Sequence, residues 1–120
     1  VCYGNFTEEG GRSCAKHFID NKVTAVVCAS DIMAIGLIRG LKALGAKVPD
    51  DISVSGFDDL EITRYFSPAL TTVKQDFFML GKTAFTILRQ SIKGYETKRI
   101  ILQAEPIFRK STSKASNKNS

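Results

Sequence analysis

Apolar residues recur at helical spacing in three stretches of the chain. The stretch 8–20 follows Thr7, a residue type that caps helix N-termini, and predicts a first helix. A second helix is predicted to begin at Ser30 and to end at Gly45, because glycine commonly terminates helices. The stretch 77–93 carries the apolar pattern of a third helix.

Short apolar runs rich in β-branched residues lie between these helices. The run 24–29 predicts a strand buried on both faces, and the run 52–57 predicts a second strand. Since helices and strands alternate with short connections, the sequence predicts an α/β fold with a parallel sheet. Two buried strands are fewer than the roughly six of a doubly wound sheet, so the chain is expected to form part of a larger domain. Further short strands are predicted at 70–73, 99–103 and 106–108.

The composition is typical of one soluble globular domain, with 43% hydrophobic residues, 24% charged residues and a mean hydropathy of −0.04. No apolar run approaches the roughly 18 residues that span a bilayer, and no secretory signal opens the chain, so no membrane partner is expected. The net charge of +5 lies mostly in 109–120, which argues against a folded surface that grips phosphates. Residues 112–120 are expected to form a disordered basic tail.

The cysteine pattern indicates neither a disulfide scaffold nor a zinc site. Cys2, Cys14 and Cys28 are an odd number without a C-x-x-C pair, and His17 has no partner at metal-ligand spacing. No metal is therefore expected, and a reducing cytoplasm is the expected location. Cys28 lies in an apolar run and is interpreted as a core residue.

Acidic residues follow both of the main predicted strands. Ser30 and Asp31 come after the first strand, and Asp58 and Asp59 come after the second. Ligands of open parallel sheets bind beyond the carboxyl ends of the strands, and carboxylates beside aromatic rings suit polyhydroxylated ligands. A simpler interpretation is that the polar residues only cap a helix and that the aromatic residues are core. The aromatic residues in question are Phe6, Phe57 and Phe77.

Signals for catalysis are weak. The chain holds no G-x-S-x-G elbow, no P-loop and no G-x-G-x-x-G fingerprint, and no helix-turn-helix pattern. Asp31 and Asp58 could form an acid/base pair in a small α/β enzyme, but nothing places a nucleophile or a metal between them. No catalytic residue and no cofactor are therefore expected.

Four ordered motifs resemble the LacI/GalR family of bacterial repressors. They are Thr24-Ala-Val-Val-Cys-Ala-Ser-Asp-Ile-Met-Ala-Ile-Gly36, Val48-Pro-Asp-Asp-Ile-Ser-Val-Ser-Gly-Phe-Asp-Asp59, Ser67-Pro-Ala-Leu-Thr-Thr-Val-Lys-Gln-Asp76 and Leu80-Gly81. The similarity runs from Gly4 to about Ser111 and corresponds to the last third of such a repressor. The family core consists of two Rossmann-like, periplasmic-binding-protein-like subdomains that close on an effector.

The resemblance implies a division of the chain. Residues 1–75 and 105–111 would form most of the C-terminal, effector-binding subdomain, and 76–104 would be a crossover segment that belongs to the N-terminal subdomain. The implied function is effector binding and dimerisation in a cytoplasmic regulator. The effector would be a small sugar or a related metabolite, and operator DNA would be bound only through an N-terminal domain outside this sequence.

The resemblance also implies individual site residues. Asp58 matches the acid that binds sugar hydroxyls or a purine-type effector, and Ser30 matches a polar position of the same pocket. The implied effector-binding set is Asp58, Phe57, Ser30, Asp31, Phe6, Phe77 and Gln75. The implied homodimer interface consists of Ile35, Arg39, Tyr65 and Phe66.

Two alternatives to a repressor remain open from the sequence. A periplasmic sugar-binding receptor of a transport system would share the fold, and a small enzyme would use Asp31 and Asp58. The three cysteines and the ending Pro106-Ile-Phe-Arg-Lys-Ser-Thr112 favour the repressor over the receptor.

Overall fold

The computed structural model describes residues 1–115 and forms an α/β unit from short elements. Its helices are α1 (Glu8–Ser13), α2 (Ala15–Asp20), α3 (Asp31–Ala43), α4 (Ile62–Tyr65) and α5 (Phe77–Ile92). Its strands are β1 (Ala25–Val27), β2 (Ser53–Ser55), β3 (Thr72–Lys74) and β4 (Glu105–Ile107). The last part of the predicted tail, 116–120, lies outside the described residues.

The strands lie side by side in the order β1-β2-β3-β4. β1 pairs with β2 in parallel, with Val26 opposite Val54. Two isolated parallel bridges, one of them between Asp58 and Lys74, join β2 to β3, and β4 pairs with β3 in the antiparallel direction. The expected parallel sheet is therefore present, with an antiparallel strand at its side. The carboxyl ends of β1, β2 and β3 meet at one edge.

Helix α3 supplies more residues of the core than any other element. The Ser30 hydroxyl caps it by accepting a hydrogen bond from the Met33 amide at 3.3 Å, and Gly45 follows its end with a φ of 84°. Its apolar stripe packs on one face of the sheet. α1 packs against the other side of α3 so closely that a Cβ on Gly36 would lie 1.9 Å from the Glu8 carbonyl oxygen. The buried core contains Ala34, Leu37, Ile38, Leu41, Ile52, Val54 and Leu70.

The predicted first helix is capped by Thr7 as expected, but it is interrupted at Cys14. Cys14 forms a disulfide with Cys2, so the expectation that the cysteines are unpaired is wrong. The twelve-residue separation carries no local signal. The chain brings the two Cα atoms to 6.1 Å because the N-terminal segment runs back along α1. Cys28 is a core residue as predicted, and burial raises the pKa of its thiol to about 12.

Two strand predictions are wrong. β1 is covered on one face only, since Val26 packs on the core while Val27 is 84% exposed on the opposite face. The stretch 99–103 has no regular structure, because no strand among the described residues pairs with it. The β-branched residues there therefore do not decide the backbone conformation.

Helix α5 projects away from the core, and none of its residues is buried. The molecule accordingly measures 62 × 28 × 26 Å. This exposure is what a segment that packs on another subdomain would show, and the assignment of 76–104 to an N-terminal subdomain stays a prediction. None of the helices within residues 1–115 is long and apolar enough to cross a membrane.

The chain is bonded to the sheet at Ser111 and at the first two residues of the predicted tail. Ser111 is fully buried, and its hydroxyl donates to the Val54 carbonyl at 2.6 Å and accepts from the Thr71 amide at 2.8 Å. The Thr112 hydroxyl lies 2.9 Å from that of Thr71, and the Ser113 amide donates to the hydroxyl of Ser53 at 3.2 Å. These bonds fasten the chain beside β2.

Candidate functional site

The carboxyl ends of β2 and β3 bring two of the implied effector residues together. The Asp58 amide donates to the Val73 carbonyl at 2.9 Å, which aligns the end of β2 with β3. Gln75, just beyond β3, then donates from Nε2 to Asp58 Oδ1 at 3.2 Å. Both side chains are half-buried, so their remaining hydrogen-bonding capacity can reach a ligand at this edge.

The backbone at this point takes a conformation that favours glycine. Asp58 has a φ of 117° and Asp59 a φ of 55°. Such angles cost about 1–3 kcal/mol each for non-glycine residues and persist only where the surrounding structure holds them. Asp59 tolerates the left-handed region better than most residues do.

Asp59 is held by a buried ion pair. Its side chain is 4% exposed, and Oδ1 lies 2.5 Å from Nη2 of Arg109, with Nη2 of Arg64 at 3.4 Å from Oδ2. Burial alone would raise the pKa of Asp59, but the hydrogen bonds and charges of Arg109 and Arg64 outweigh it and hold that pKa below its usual value. Nη1 of Arg109 also donates to the Thr63 hydroxyl and to the Leu70 carbonyl, each at 2.9 Å.

Sequence reasoning missed the role of Arg109. Only its charge is considered from the sequence, together with that of 109–120, yet its side chain is 14% exposed and bonds to a carboxylate fifty residues away. One signal could have found it. Arg109 directly follows the predicted strand 106–108 and lies in 105–111, which the resemblance already assigns to the C-terminal subdomain, so a bonded side chain could be expected there.

Asp31 is held inside the fold by its own hydrogen bonds, and its role in effector binding stays a prediction. It is fully buried; Oδ2 accepts from the Leu60 amide at 2.8 Å and Oδ1 accepts from the Thr72 hydroxyl at 2.5 Å. The space it occupies exists because residue 56 is glycine, since a Cβ there would lie 2.3 Å from Oδ1. Burial raises the pKa of Asp31, the two hydrogen bonds lower it, and the charges of Asp58 and Asp59 add to the increase.

Ser30 caps a helix, as the simpler interpretation of the polar residues expects. Ser30 is 8% exposed, and its hydroxyl accepts a hydrogen bond from the Met33 amide as the cap of α3. A serine hydroxyl that accepts one bond still has a proton to donate. The effector role of Ser30 therefore stays a prediction that depends on this remaining donor.

The three aromatic residues of the implied site differ in burial. Phe6 and Phe77 are exposed and Phe57 is half-buried, so the core interpretation fails for the first two. Phe77 is the first residue of α5 and follows Gln75 by two positions. Phe6 has a φ of 55° and immediately precedes the cap of α1. Exposed rings beside a polar edge can cover an apolar face of a ligand ring.

The implied dimer residues differ sharply in accessibility. Ile35 is 2% exposed within a single chain, so it adds almost nothing to the surface there, and its place in an interface stays a prediction. Tyr65 is 80% exposed. Phe66 is half-buried against the core, and Arg39 and Lys42 place cations 5.8 and 6.0 Å from the centre of its ring. Arg39 is exposed and forms an ion pair with Glu8.

The chemistry that this edge supports is hydrogen bonding. It offers a carboxylate, an amide and a hydroxyl beside exposed aromatic rings, which suits a small polar ring. Within residues 1–115, no three His, Cys, Asp or Glu side chains converge in the way that a metal site requires.

The chain is similar to known transcriptional regulators. Residues 3–112 match the periplasmic binding protein-like domain. The HTH-type transcriptional repressor PurR of Vibrio campbellii is 44% identical over 108 residues, which cover 88% of the chain and 32% of the repressor. The chain thus spans about a third of the length of the curated relatives that it matches.

Solved structures agree with this similarity. A LacI family transcriptional regulator of Enterococcus faecalis with bound ribose superposes with a TM-score of 0.85 at 30% identity, over 94% of the chain and 43% of the regulator. A Lac repressor dimer bound to operator superposes with a TM-score of 0.83 at 34% identity, over 91% of the chain and 39% of the repressor. These matches confirm the predicted resemblance and the α/β fold. The relatives are regulators and not enzymes, so the enzyme alternative is set aside.

Proposed function

Because the chain belongs to the family of periplasmic binding protein-like domains, in the form that LacI-type regulators carry, we propose that it is the C-terminal, effector-binding part of a transcriptional repressor. A small molecule held at the edge around Asp58 would control the binding of operator DNA by a helix-turn-helix segment outside these residues. The regulator would act in the cytoplasm, without a cofactor or a membrane partner.

The observation that carries this proposal is the position and the hydrogen bonding of Asp58. It lies where parallel strands end, keeps one carboxylate oxygen free of Gln75, and is half-buried among residues whose own polar groups are already bonded. Of the three neighbouring acids Asp31, Asp58 and Asp59, it is the one placed to accept hydrogen bonds from a ligand.

The effector that fits best is a small polar ring. A carboxylate can accept paired hydrogen bonds from neighbouring sugar hydroxyls or from the N–H groups of a purine-type ring, and Phe57 and Phe77 can cover a ring face. A structural relative that is 30% identical to the chain was solved with bound ribose, and this supports a sugar. A purine-type ring offers N–H donors to the same carboxylate and is therefore tested beside the sugar.

The test is replacement of Asp58 by alanine in the full-length protein. Loss of this acceptor should weaken binding about ten- to hundredfold, since a lost polar partner at a buried site costs roughly 1–3 kcal/mol. Isothermal titration calorimetry with D-ribose and with hypoxanthine measures the change. The matched control is Asp50→Ala, because Asp50 is exposed and distant from the edge. Unchanged affinity of Asp58→Ala for a ligand that the wild type binds would contradict the assignment.

We also propose that the regulator forms a two-fold homodimer through Arg39, Tyr65 and Phe66. The solved Lac repressor dimer is the relative that supports this, and exposed Tyr65 beside Phe66 supplies an apolar patch. Ile35 has no part in this proposal because it is buried within one chain.

A periplasmic receptor remains the second candidate because of the Cys2–Cys14 disulfide, since disulfides persist mainly in oxidising compartments. A gel-shift assay separates the two candidates. Sequence-specific, effector-dependent binding of DNA by the full-length protein supports the repressor, and its absence together with export from the cytoplasm supports the receptor.

A further inference from the structure

We propose that Arg109 is a positioning residue of the effector site, which acts through Asp59 to hold the Asp58 carboxylate in its binding orientation. This inference rests on the proposed function and adds to it a residue that touches no ligand. It starts from the observation that one guanidinium group links the turn after β2, helix α4 and the segment before β3.

Arg109 is itself fixed by the chain around it. Its amide donates to the Thr71 hydroxyl at 3.0 Å, and the amide of Lys110 donates to the Ala69 carbonyl at 2.9 Å. Both contacts come directly after β4, whose pairing with β3 places the segment. The guanidinium therefore extends from a backbone that is anchored at two successive amides.

The turn that Arg109 holds is the one that needs support. Asp58 and Asp59 are consecutive residues with positive φ, and such a turn relaxes unless neighbouring groups restrain it. The Asp58 amide is restrained by β3, and the Leu60 amide by Asp31. The carboxylate of Asp59 is restrained by Arg109, with Arg64 as a second and more exposed partner.

Loss of the guanidinium would leave the Asp59 carboxylate almost fully buried without its main cation. A buried charge in that position is strongly unfavourable, so the side chain would turn toward water. Because Asp59 adjoins Asp58, this movement would rotate the intervening peptide and displace the Asp58 carboxylate. Effector affinity would fall although the chemistry of Asp58 is unchanged.

The experiment compares effector binding by the full-length wild type, Arg109→Met and Asp59→Asn. Calorimetry with D-ribose and hypoxanthine gives the dissociation constant of the folded fraction separately from the stoichiometry, so a variant that is merely less stable shows fewer sites at unchanged affinity. We expect both variants to bind about tenfold more weakly or worse.

Asparagine accepts a positive φ, so Asp59→Asn gives the answer where Arg109→Met does not fold. The matched control is Lys110→Met, the exposed basic neighbour, which should bind as the wild type does.

A second readout needs no ligand. Amide hydrogen exchange at 58–60 should rise in Arg109→Met and Asp59→Asn while exchange in β1 stays at the wild-type level. The double variant should be no worse than the more affected single variant, since the two residues act as one unit. Arg109→Lys should bind more tightly than Arg109→Met but less tightly than the wild type, because lysine keeps the charge and lacks the planar set of N–H donors of arginine.

The outcomes separate this inference from the proposed function. Wild-type affinity in Arg109→Met and Asp59→Asn, or unchanged exchange at 58–60, overturns the positioning role even where both variants are less stable. If Asp58→Ala binds normally as well, the proposed effector site fails with it. If Asp58→Ala loses binding while the Arg109 and Asp59 variants keep it, the positioning role alone is wrong.

Discussion

Replacement of Asp31 tests whether this buried acid is structural or binds the effector. The structure predicts that Asp31→Ala is severe and that Asp31→Asn is mild. An asparagine has the same shape, and its oxygen can accept from the Leu60 amide while its NH₂ group donates to the Thr72 hydroxyl, which rotates to accept. Alanine keeps neither bond.

The magnitudes follow from these bonds. Asp31→Ala leaves two donors unsatisfied, each at about 1–3 kcal/mol, and opens a small cavity, so a loss of about 3–5 kcal/mol in the free energy of unfolding is expected. Asp31→Asn should stay within about 1 kcal/mol of the wild type near neutral pH. The control is Asp50→Asn, which removes an exposed carboxylate of the same type.

The pH dependence supplies an independent check. Burial raises the pKa of Asp31 in the folded state above its value in the unfolded state. The stability linked to its protonated form is therefore fully present below the unfolded pKa of about 3.9 and is lost as the pH rises through the folded pKa. Asparagine does not titrate, so the stability of Asp31→Asn relative to the wild type should increase as the pH rises through that interval.

Urea denaturation of the full-length protein at a series of pH values measures both effects, with effector titration alongside. The reasoning is refuted if Asp31→Asn is as destabilised as Asp31→Ala, or if Asp31→Ala is tolerated. An Asp31→Asn protein of normal stability that no longer binds effector would restore the role in binding that the sequence predicted.

Two further predictions concern packing and assembly. Gly36→Ala should destabilise the protein by about 1–3 kcal/mol in urea denaturation, because its Cβ would lie 1.9 Å from the Glu8 carbonyl oxygen. The cost of this clash outweighs the gain of about 1 kcal/mol in helix propensity. A stabilised variant would show that α1 does not pack there. Tyr65→Lys and Phe66→Lys should shift the full-length protein from dimer toward monomer in light scattering, and variants that dimerise as tightly as the wild type would remove this patch from the interface.

The helices were predictable because local signals define them. A Ser30 cap, an apolar stripe and Gly45 predict α3 almost to its ends, and the pattern over 77–93 predicts α5 to within one residue. The parallel pairing of β1 and β2 followed from the alternation of helices and strands. These features depend on residues that are neighbours in sequence, so the sequence displays them directly.

The features that escaped prediction depend on residues far apart in the chain. The resemblance implies an interface position for Ile35, yet Ile35 is 2% exposed within the single chain. The Cys2–Cys14 bond depends on the path of the N-terminal segment, and the Arg109–Asp59 pair joins residues fifty positions apart. No periodicity or local motif encodes such contacts, so the fold was predicted more completely than the site.

The three acids at the sheet edge show how the fold assigns different roles to similar residues. Asp31 is buried with two neutral donors and no cation, which raises its pKa and makes it a structural acceptor. Asp59 is buried with Arg109, which lowers its pKa and fixes it as half of an ion pair. Asp58 is left half-buried between them, with its amide bonded to the Val73 carbonyl of β3 and one carboxylate oxygen free of Gln75. Since each fixed acid restrains the turn from one side, the availability of Asp58 to a ligand is a consequence of the other two being fully engaged.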